Sequence, residues 1–143
     1  WKQTGITYIG TDRADVLTGS SGTTHFHGGL GSDTLKGGSG IDYFHFDTAI
    51  GQGDVDIILS FNAAQDKVVL DHKIFDQIGS VGSLDPSMFA VGTKAANATT
   101  HILYDKATGD LFYDADGNGA QAPILLAHIS SSAALTASNF LVS

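Results

Sequence analysis

The sequence predicts an all-β protein: a parallel β-roll over residues 1–45, joined to a β-sandwich-like C-terminal part with short helices over 46–143. Three observations carry this reading. Residues 10–45 divide into four nine-residue units, each opened by glycine. Every unit places a large apolar residue at its eighth position. Beyond residue 46, short apolar runs alternate with turns rich in Asp, Asn and Gly, as strands separated by tight turns do. With 143 residues the chain is long enough for one domain with a real core.

The units read GTDRADVLT, GSSGTTHFH, GGLGSDTLK and GGSGIDYFH. Gly10, Gly19, Gly28 and Gly37 open them, Asp15, Thr24, Asp33 and Asp42 stand sixth, and Leu17, Phe26, Leu35 and Phe44 stand eighth. This is the pattern G-G-x-G-x-D-x-U-x of calcium-binding parallel β-helices. Six residues make a turn in which glycines adopt φ > 0 and direct carbonyl oxygens inward. Three make a strand whose middle side chain faces the core. Two units complete one coil, so residues 18 apart should stack about 4.7–4.9 Å from each other. Turn 10–15 then lies against 28–33, and turn 19–24 against 37–42.

An ion between stacked turns can gather carbonyl oxygens from both and a carboxylate from each, toward the roughly six to eight oxygens calcium takes. The composition agrees: all fifteen acidic residues are Asp, the short carboxylate suited to turns. Without an ion, Asp15 and Asp33 face each other as like charges at a cost of about 1–3 kcal/mol. Folding is therefore expected to be coupled to calcium. The first expected site comprises Gly10, Asp12, Asp15, Gly28, Gly29, Gly31 and Asp33. The second comprises Gly19, Gly22, Gly37, Gly38, Gly40 and Asp42; Thr24 replaces its partner carboxylate, so it should be weaker or completed by water. Asp56, ahead of Asp54 and Asp66, is a candidate for a third, terminal site, with turn chemistry as the competing role of each. Asp47 is a candidate cap above Asp33.

The same stacking places His27 and His45 at ninth positions on one outer face, with His25 and Tyr43 at seventh positions nearby. Three imidazoles there have transition-metal chemistry within reach. A ladder of strand side chains is the plainer reading, because no carboxylate is clearly placed to support them.

Downstream, Ile57–Phe61 and Lys67–Leu70 read as strands around the turn Asn62–Asp66. Asp85, followed by Pro86, reads as the cap of a short helix. His101–Tyr104 and Leu111–Tyr113 read as a hairpin whose turn contains Gly109, and Ile124–Ile129 as a further strand. Leu135–Phe140 reads as a last short helix capped by Thr136, ending in the apolar tip Phe140-Leu141-Val142. Between the strands, Asp114, Asp116 and Asn118 have the spacing of the first half of an EF-hand loop. The bidentate Glu is absent and no helices flank it, so a linking turn competes with a calcium site at Asp114 and Asp116.

Composition also excludes. A net charge of −8, with seven basic residues, leaves no basic patch for nucleic acid or an anionic membrane. No apolar run approaches the ~20 residues of a membrane span, and the start does not read as a signal peptide. With no cysteine there are no disulfides and no thiolate sites.

The repeats at 28–45, the stretch ILYDKATGDLFYDADGNG (102–119), the strand ILLAHI (124–129) and the ending LTASNFLVS (135–143) together resemble the C-terminal region of RTX proteins, bacterial substrates of type I secretion. The resemblance implies a calcium-filled roll, a sandwich-like tail carrying an uncleaved secretion signal, and folding outside the cell. Two departures stand out: the first two repeats are degenerate, and Ser60 stands where the family often has an acidic residue. Two to three calcium ions are expected. The opening at Trp1, directly before the repeats, suits an excised domain.

The leading function is a non-catalytic, secreted, extracellular calcium-binding module whose partners are calcium and the type I secretion machinery. An enzyme is disfavoured, since neither HExxH nor GxSxG occurs. The alternative is a polysaccharide-binding or adhesion module attached to a secreted enzyme. Trp1, Tyr8, Tyr43, Tyr104 and Tyr113 would then stack on sugars, and Lys36, Lys67 or Lys73 would meet an anionic polymer.

Overall fold

The computed structural model describes residues 5–130 and 133–143; Trp1 lies outside the described residues. Strands β1 (Ile6–Ile9), β2 (Val16–Thr18), β3 (Thr24–His27), β4 (Thr34–Lys36), β5 (Asp42–Phe46), β6 (Asp56–Leu59) and β7 (Lys67–Leu70) alternate between two sheets. One sheet takes β1, β3, β5 and β7, the other β2, β4 and β6, all parallel within their sheet. This is a parallel β-roll. Its period is the one the repeat dictates: Ile6 pairs with Thr24, Thr24 with Asp42, and Val16 with Thr34.

The eighth-position side chains face each other between the sheets. Phe26, Leu35 and Phe44 are at most 1% exposed. Phe26 stacks between Tyr8 and Phe44, with ring centroids 5.9 and 5.0 Å away, and Phe44 meets Phe61 at 5.8 Å. Ile58 and Val68 continue the column in the next coil, each fully buried.

The parallel stacking runs on past residue 45, where the nine-residue glycine spacing is lost from the sequence. Thr34 pairs with Ile57 and Tyr43 with Lys67, so this coil carries five and six extra residues. Both sheets cross position 45 without a break, and one hydrophobic core spans the chain from Phe26 to Val142.

The C-terminal part extends the same two sheets. Strands β8 (Gly82–Ser83), β9 (Phe89–Val91), β10 (Ile102–Asp105), β11 (Asp110–Tyr113), β12 (Ile124–Ile129) and β13 (Phe140–Val142) complete the fold. β10 and β11 form the expected antiparallel hairpin, with Gly109 at φ +85° in its turn. β12 then returns parallel to β6, and β13 parallel to β7. These two strands act as a last coil of the roll. The expected short helices are single 3₁₀ turns at Pro86–Met88 and Ala137–Asn139. Asp85 caps the first by accepting the Ser87 amide at 2.9 Å. The second stops one residue sooner than expected, because Phe140 begins β13. The apolar tip is therefore a strand between β7 and β8, with Phe140 and Val142 turned into the core.

Candidate metal centre

The turns of the roll stack as the strands do, and their sixth residues form two columns. In one, Asp33 Oδ1 accepts the Asp15 amide at 2.9 Å and Asp56 Oδ1 accepts the Asp33 amide at 3.0 Å. In the other, Thr24 stands beside Asp42, and Asp66 Oδ1 accepts the Asp42 amide at 3.0 Å. The second carboxylate oxygen folds back into its own turn. Asp15 Oδ2 accepts the Thr11 amide at 2.6 Å, Asp42 Oδ2 the Gly38 amide at 2.7 Å, and Asp66 Oδ2 the Asn62 amide at 2.7 Å. Aspartate, with one methylene, is the carboxylate suited to bonding its own turn in this way.

Glycine sets how closely the turns approach. Gly29 and Gly31 sit at φ +96° and +97°, where a side chain is strained. A Cβ on Gly10 would overlap the Gly28 carbonyl oxygen, and one on Gly29 the Thr11 carbonyl oxygen. On the other side, a Cβ on Gly38 would overlap the Ser20 carbonyl oxygen and one on Gly40 that of Gly22. Gly19 and Gly37 are similarly close-packed, Gly37 against Asp42 and the Ser60 carbonyl. The gaps between turns are thus walled by main-chain oxygens.

These columns concentrate negative charge away from water. Asp33, Asp42 and Asp66 are at most 1% exposed. Burial raises the pKa of all three, and raises Asp56 to about 7. Asp33 Oδ2 and Asp42 Oδ1 are buried without a hydrogen-bond partner among the described residues. The ion pairs formed by described residues all involve histidine, and none reaches these carboxylates. Buried carboxylates need pairing or a metal to remain charged. Among the described residues no three His or Asp side chains converge on one point to hold a metal. A cation here would therefore draw mainly on backbone carbonyls, with few carboxylates. Hard oxygens, unpaired buried carboxylate atoms and glycine-walled gaps together fit calcium.

The expected residues divide as follows. Asp15, Gly10, Gly28, Gly29, Gly31 and Asp33 come together between turns 10–15 and 28–33. Asp12 stands exposed on the outer turn instead. Gly19, Gly22, Gly37, Gly38, Gly40 and Asp42 come together between turns 19–24 and 37–42. Asp56 stands above Asp33, the place expected for Asp47. Asp47 instead bonds His27 Nδ1 at 2.6 Å, because β5 runs on through Phe46 and carries it to the outer face. Beside Asp56 is a cavity of about 30 Å³ lined by Gly29, Gly31, Thr48, Asp54 and Asp56, among others, room enough for a water-sized occupant. Asp114 and Asp116 join neither column; Asp114 lines a separate cavity in the C-terminal part.

Two residues of the site, Gln65 and Thr48, escape a reading of the repeat. Gln65 Nε2 donates to the Ser39 carbonyl at 3.3 Å and to that of Gly40, taking up the side of turn 37–42 that faces the next coil. The Thr48 hydroxyl donates to the Gly29 carbonyl at 3.0 Å. Asp66 belongs to the Thr24–Asp42 column. The sequence offers Asp66 for a terminal site with Asp56, and both stand two residues before a core apolar residue, Val68 and Ile58; the structure puts Asp66 in the other column instead.

The histidines form a contact cluster. His25 Nδ1 and His45 Nε2 lie 3.0 Å apart, His27 stacks on His45 with centroids 4.1 Å apart, and His25 stacks on Tyr43 at 4.6 Å. Burial first, then His27 and His25, lower the pKa of His45 to about 4. Of the tyrosines expected to stack on sugars, Tyr104 and Tyr113 are core residues, at most 3% exposed, and Tyr8 packs on Phe26, while Tyr43 stands half-buried beside His25. Lys67 is engaged by the Ser138 carbonyl at 2.7 Å.

Fold and site thus define an all-β protein whose parallel β-roll presents stacked Asp- and Gly-rich turns. No protein-family model matches the chain, and no curated protein matches it. Among solved structures it is similar to the AlgE6R3 subunit of the mannuronan C5-epimerase of Azotobacter vinelandii. Identity is 21% and the TM-score 0.34, over 96% of this chain and 82% of that one. So distant a likeness transfers no property of that protein to this one.

Two outcomes follow from the geometry. Gly38→Ala should destabilise the folded chain by about 1–3 kcal/mol through overpacking against the facing turn. Ser20→Ala, on that facing turn but exposed, should change stability by less than about 0.5 kcal/mol; urea denaturation compares them. His45 has a folded pKa below its ordinary 6.5, so between pH 6.5 and 4 the unfolded chain binds more protons at this site and the His45 contribution to stability falls as pH drops, opposite in sign to that of Asp56. His45→Gln should flatten that loss within this window, and an NMR titration should find His45 neutral down to about pH 4.

Proposed function

We propose that this chain is a non-catalytic calcium-binding module of a larger secreted protein, folding on calcium outside the cell and carrying a C-terminal type I secretion signal. The observation that carries the calcium half is the pair of Asp columns: buried carboxylates, two of them with an unpartnered oxygen, set between turns too close for any side chain. A protein that must bury such groups gains stability from a cation that binds only the folded state, by RT ln(1 + [L]/Kd) per site. With Kd of about 10⁻⁴–10⁻³ M, the range of extracellular calcium modules, that gain nearly vanishes at cytosolic calcium. The cation positions are two in the roll, between 10–15 and 28–33 and between 19–24 and 37–42, with a third at the cavity beside Asp56. Gln65 closes the second column, since its amide already engages the next carbonyls.

The secretion half draws on the resemblance of 102–119, 124–129 and 135–143 to the segment that follows RTX repeats. A chain without cysteine also remains free of cross-links during export.

Calcium titration of the metal-free chain, followed by far-UV circular dichroism, tests the first half. β-structure should appear cooperatively between micromolar and millimolar calcium. Asp33→Ala should move the midpoint upward about tenfold. A chain fully folded in excess chelator and indifferent to calcium would overturn the proposal. Export tests the second half: a passenger fused ahead of this chain should reach the medium of a host with a type I exporter. Removing residues 124–143 should keep it inside.

A further inference from the structure

The C-terminal part holds a second group of carboxylates that the roll does not use. Asp114 directly follows β11 and is 3% exposed. Its Oδ1 has no partner among the described residues, and neither does the buried Oδ1 of Asp116. Two neighbouring polar atoms of the loop are committed. The Asp114 carbonyl accepts His101 Nδ1 at 2.7 Å, and Asp116 Oδ2 accepts the Gln121 amide at 3.0 Å. The two carboxyl groups interact directly, and burial followed by Asp116 raises the pKa of Asp114.

The loop is shaped for this close approach. Gly117 lies at φ +63°, and a Cβ there would overlap the main chain of Asn97 and Ala98. A Cβ on Gly119 would overlap Asp116 Oδ2. Asp114 lines a cavity of about 360 Å³ together with Lys94, Asn118, Gln121 and Pro123, among others. That space far exceeds one ion, since a water occupies about 30 Å³ of liquid volume.

We infer that loop 114–119 is a divalent-cation site separate from the roll, in which Asp114 and Asp116 hold calcium while further coordination positions open into the cavity. Two carboxylates with one unpartnered oxygen each, in a loop that alternates Asp, Asp and Asn, supply hard oxygen donors. Two side chains fall short of the roughly six to eight oxygens calcium takes, so loop carbonyls and water from the cavity complete the shell. Lys94, a residue of the cavity lining, brings a positive charge that opposes the cation and weakens the site. The inference goes beyond the roll and stands independently of it.

The test is calcium binding by isothermal titration calorimetry on the full chain, with Tb³⁺ luminescence sensitised by the adjacent Tyr113 as a second readout. Asp116→Asn should lose one ion from the count, or bind it at least tenfold more weakly, and lose Tb³⁺ emission at this site. Its circular dichroism in saturating calcium should match the parent, because asparagine keeps an oxygen for the Gln121 amide. Asp114→Asn should do the same, and Lys94→Met should tighten the site severalfold. If Asp116→Asn is folded and both its ion count and its Tb³⁺ emission equal the parent's, the inference is overturned. Asp33→Ala separates this site from the roll. An ion lost with Asp116→Asn but no effect of Asp33→Ala would leave this site standing and remove the roll reading.

Discussion

One hydrogen bond, repeated from coil to coil, organises the roll: the carboxylate of one turn accepts the amide of the turn before it. It joins Asp15 to Asp33, Asp33 to Asp56, and Asp42 to Asp66. The bond fixes the axial spacing of the turns while the strand ladders fix that of the sheets. It also has a cost, since each rung draws a carboxylate out of water beside another of the same sign. Amide donors offset part of this: for Asp33 and Asp66 the hydrogen bonds lower the pKa while burial and the neighbouring Asp raise it, and burial prevails. The roll is therefore a structure with charge still to be compensated, and that imbalance underlies its reading as a calcium-dependent fold.

Glycine and the core act on the two sides of this bond. Where the turns nearly touch, at Gly38 and Ser20, no side chain fits, so the turn can close only on backbone. A few residues along, Phe26 and Phe44 stack face to face at 5.0 Å and supply the apolar burial that holds the sheets together. The nine-residue unit alternates these two demands.

Where the glycines stop, neutral amide groups take over the carbonyls. Gln65 reaches Ser39 and Gly40, and the buried Asn139 donates to the carbonyls of Ala63 and Asp66 at 2.8 and 3.1 Å. Asn139 belongs to the 3₁₀ turn before β13, so the same contact that satisfies the last turn of the roll also docks the C-terminal strand against β7. The tail is in this sense the cap of the roll, covering turns that would otherwise leave their oxygens buried and unmet.

The sequence by itself determined the period, the inward face and the composition of the turns. Those follow from local geometry: an apolar residue every nine, glycine where φ is positive, and Asp short enough to bond its own turn. The hairpin at 102–113 and the strand at 124–129 were likewise legible from apolar runs around turn residues. Only the tertiary structure decided the rest. It carried the coil past residue 45 without the nine-residue glycine spacing, placed Asp56 rather than Asp47 above Asp33, and turned the tip 140–142 into a central strand. The reason is common to all three: each depends on which distant strand a segment meets, and insertions of five or six residues erase the fixed spacing from which a neighbour can be read. Charge balance at Asp33, Asp42 and Asp114 is also a tertiary property, because a carboxylate in the sequence carries no mark of whether water or protein will surround it.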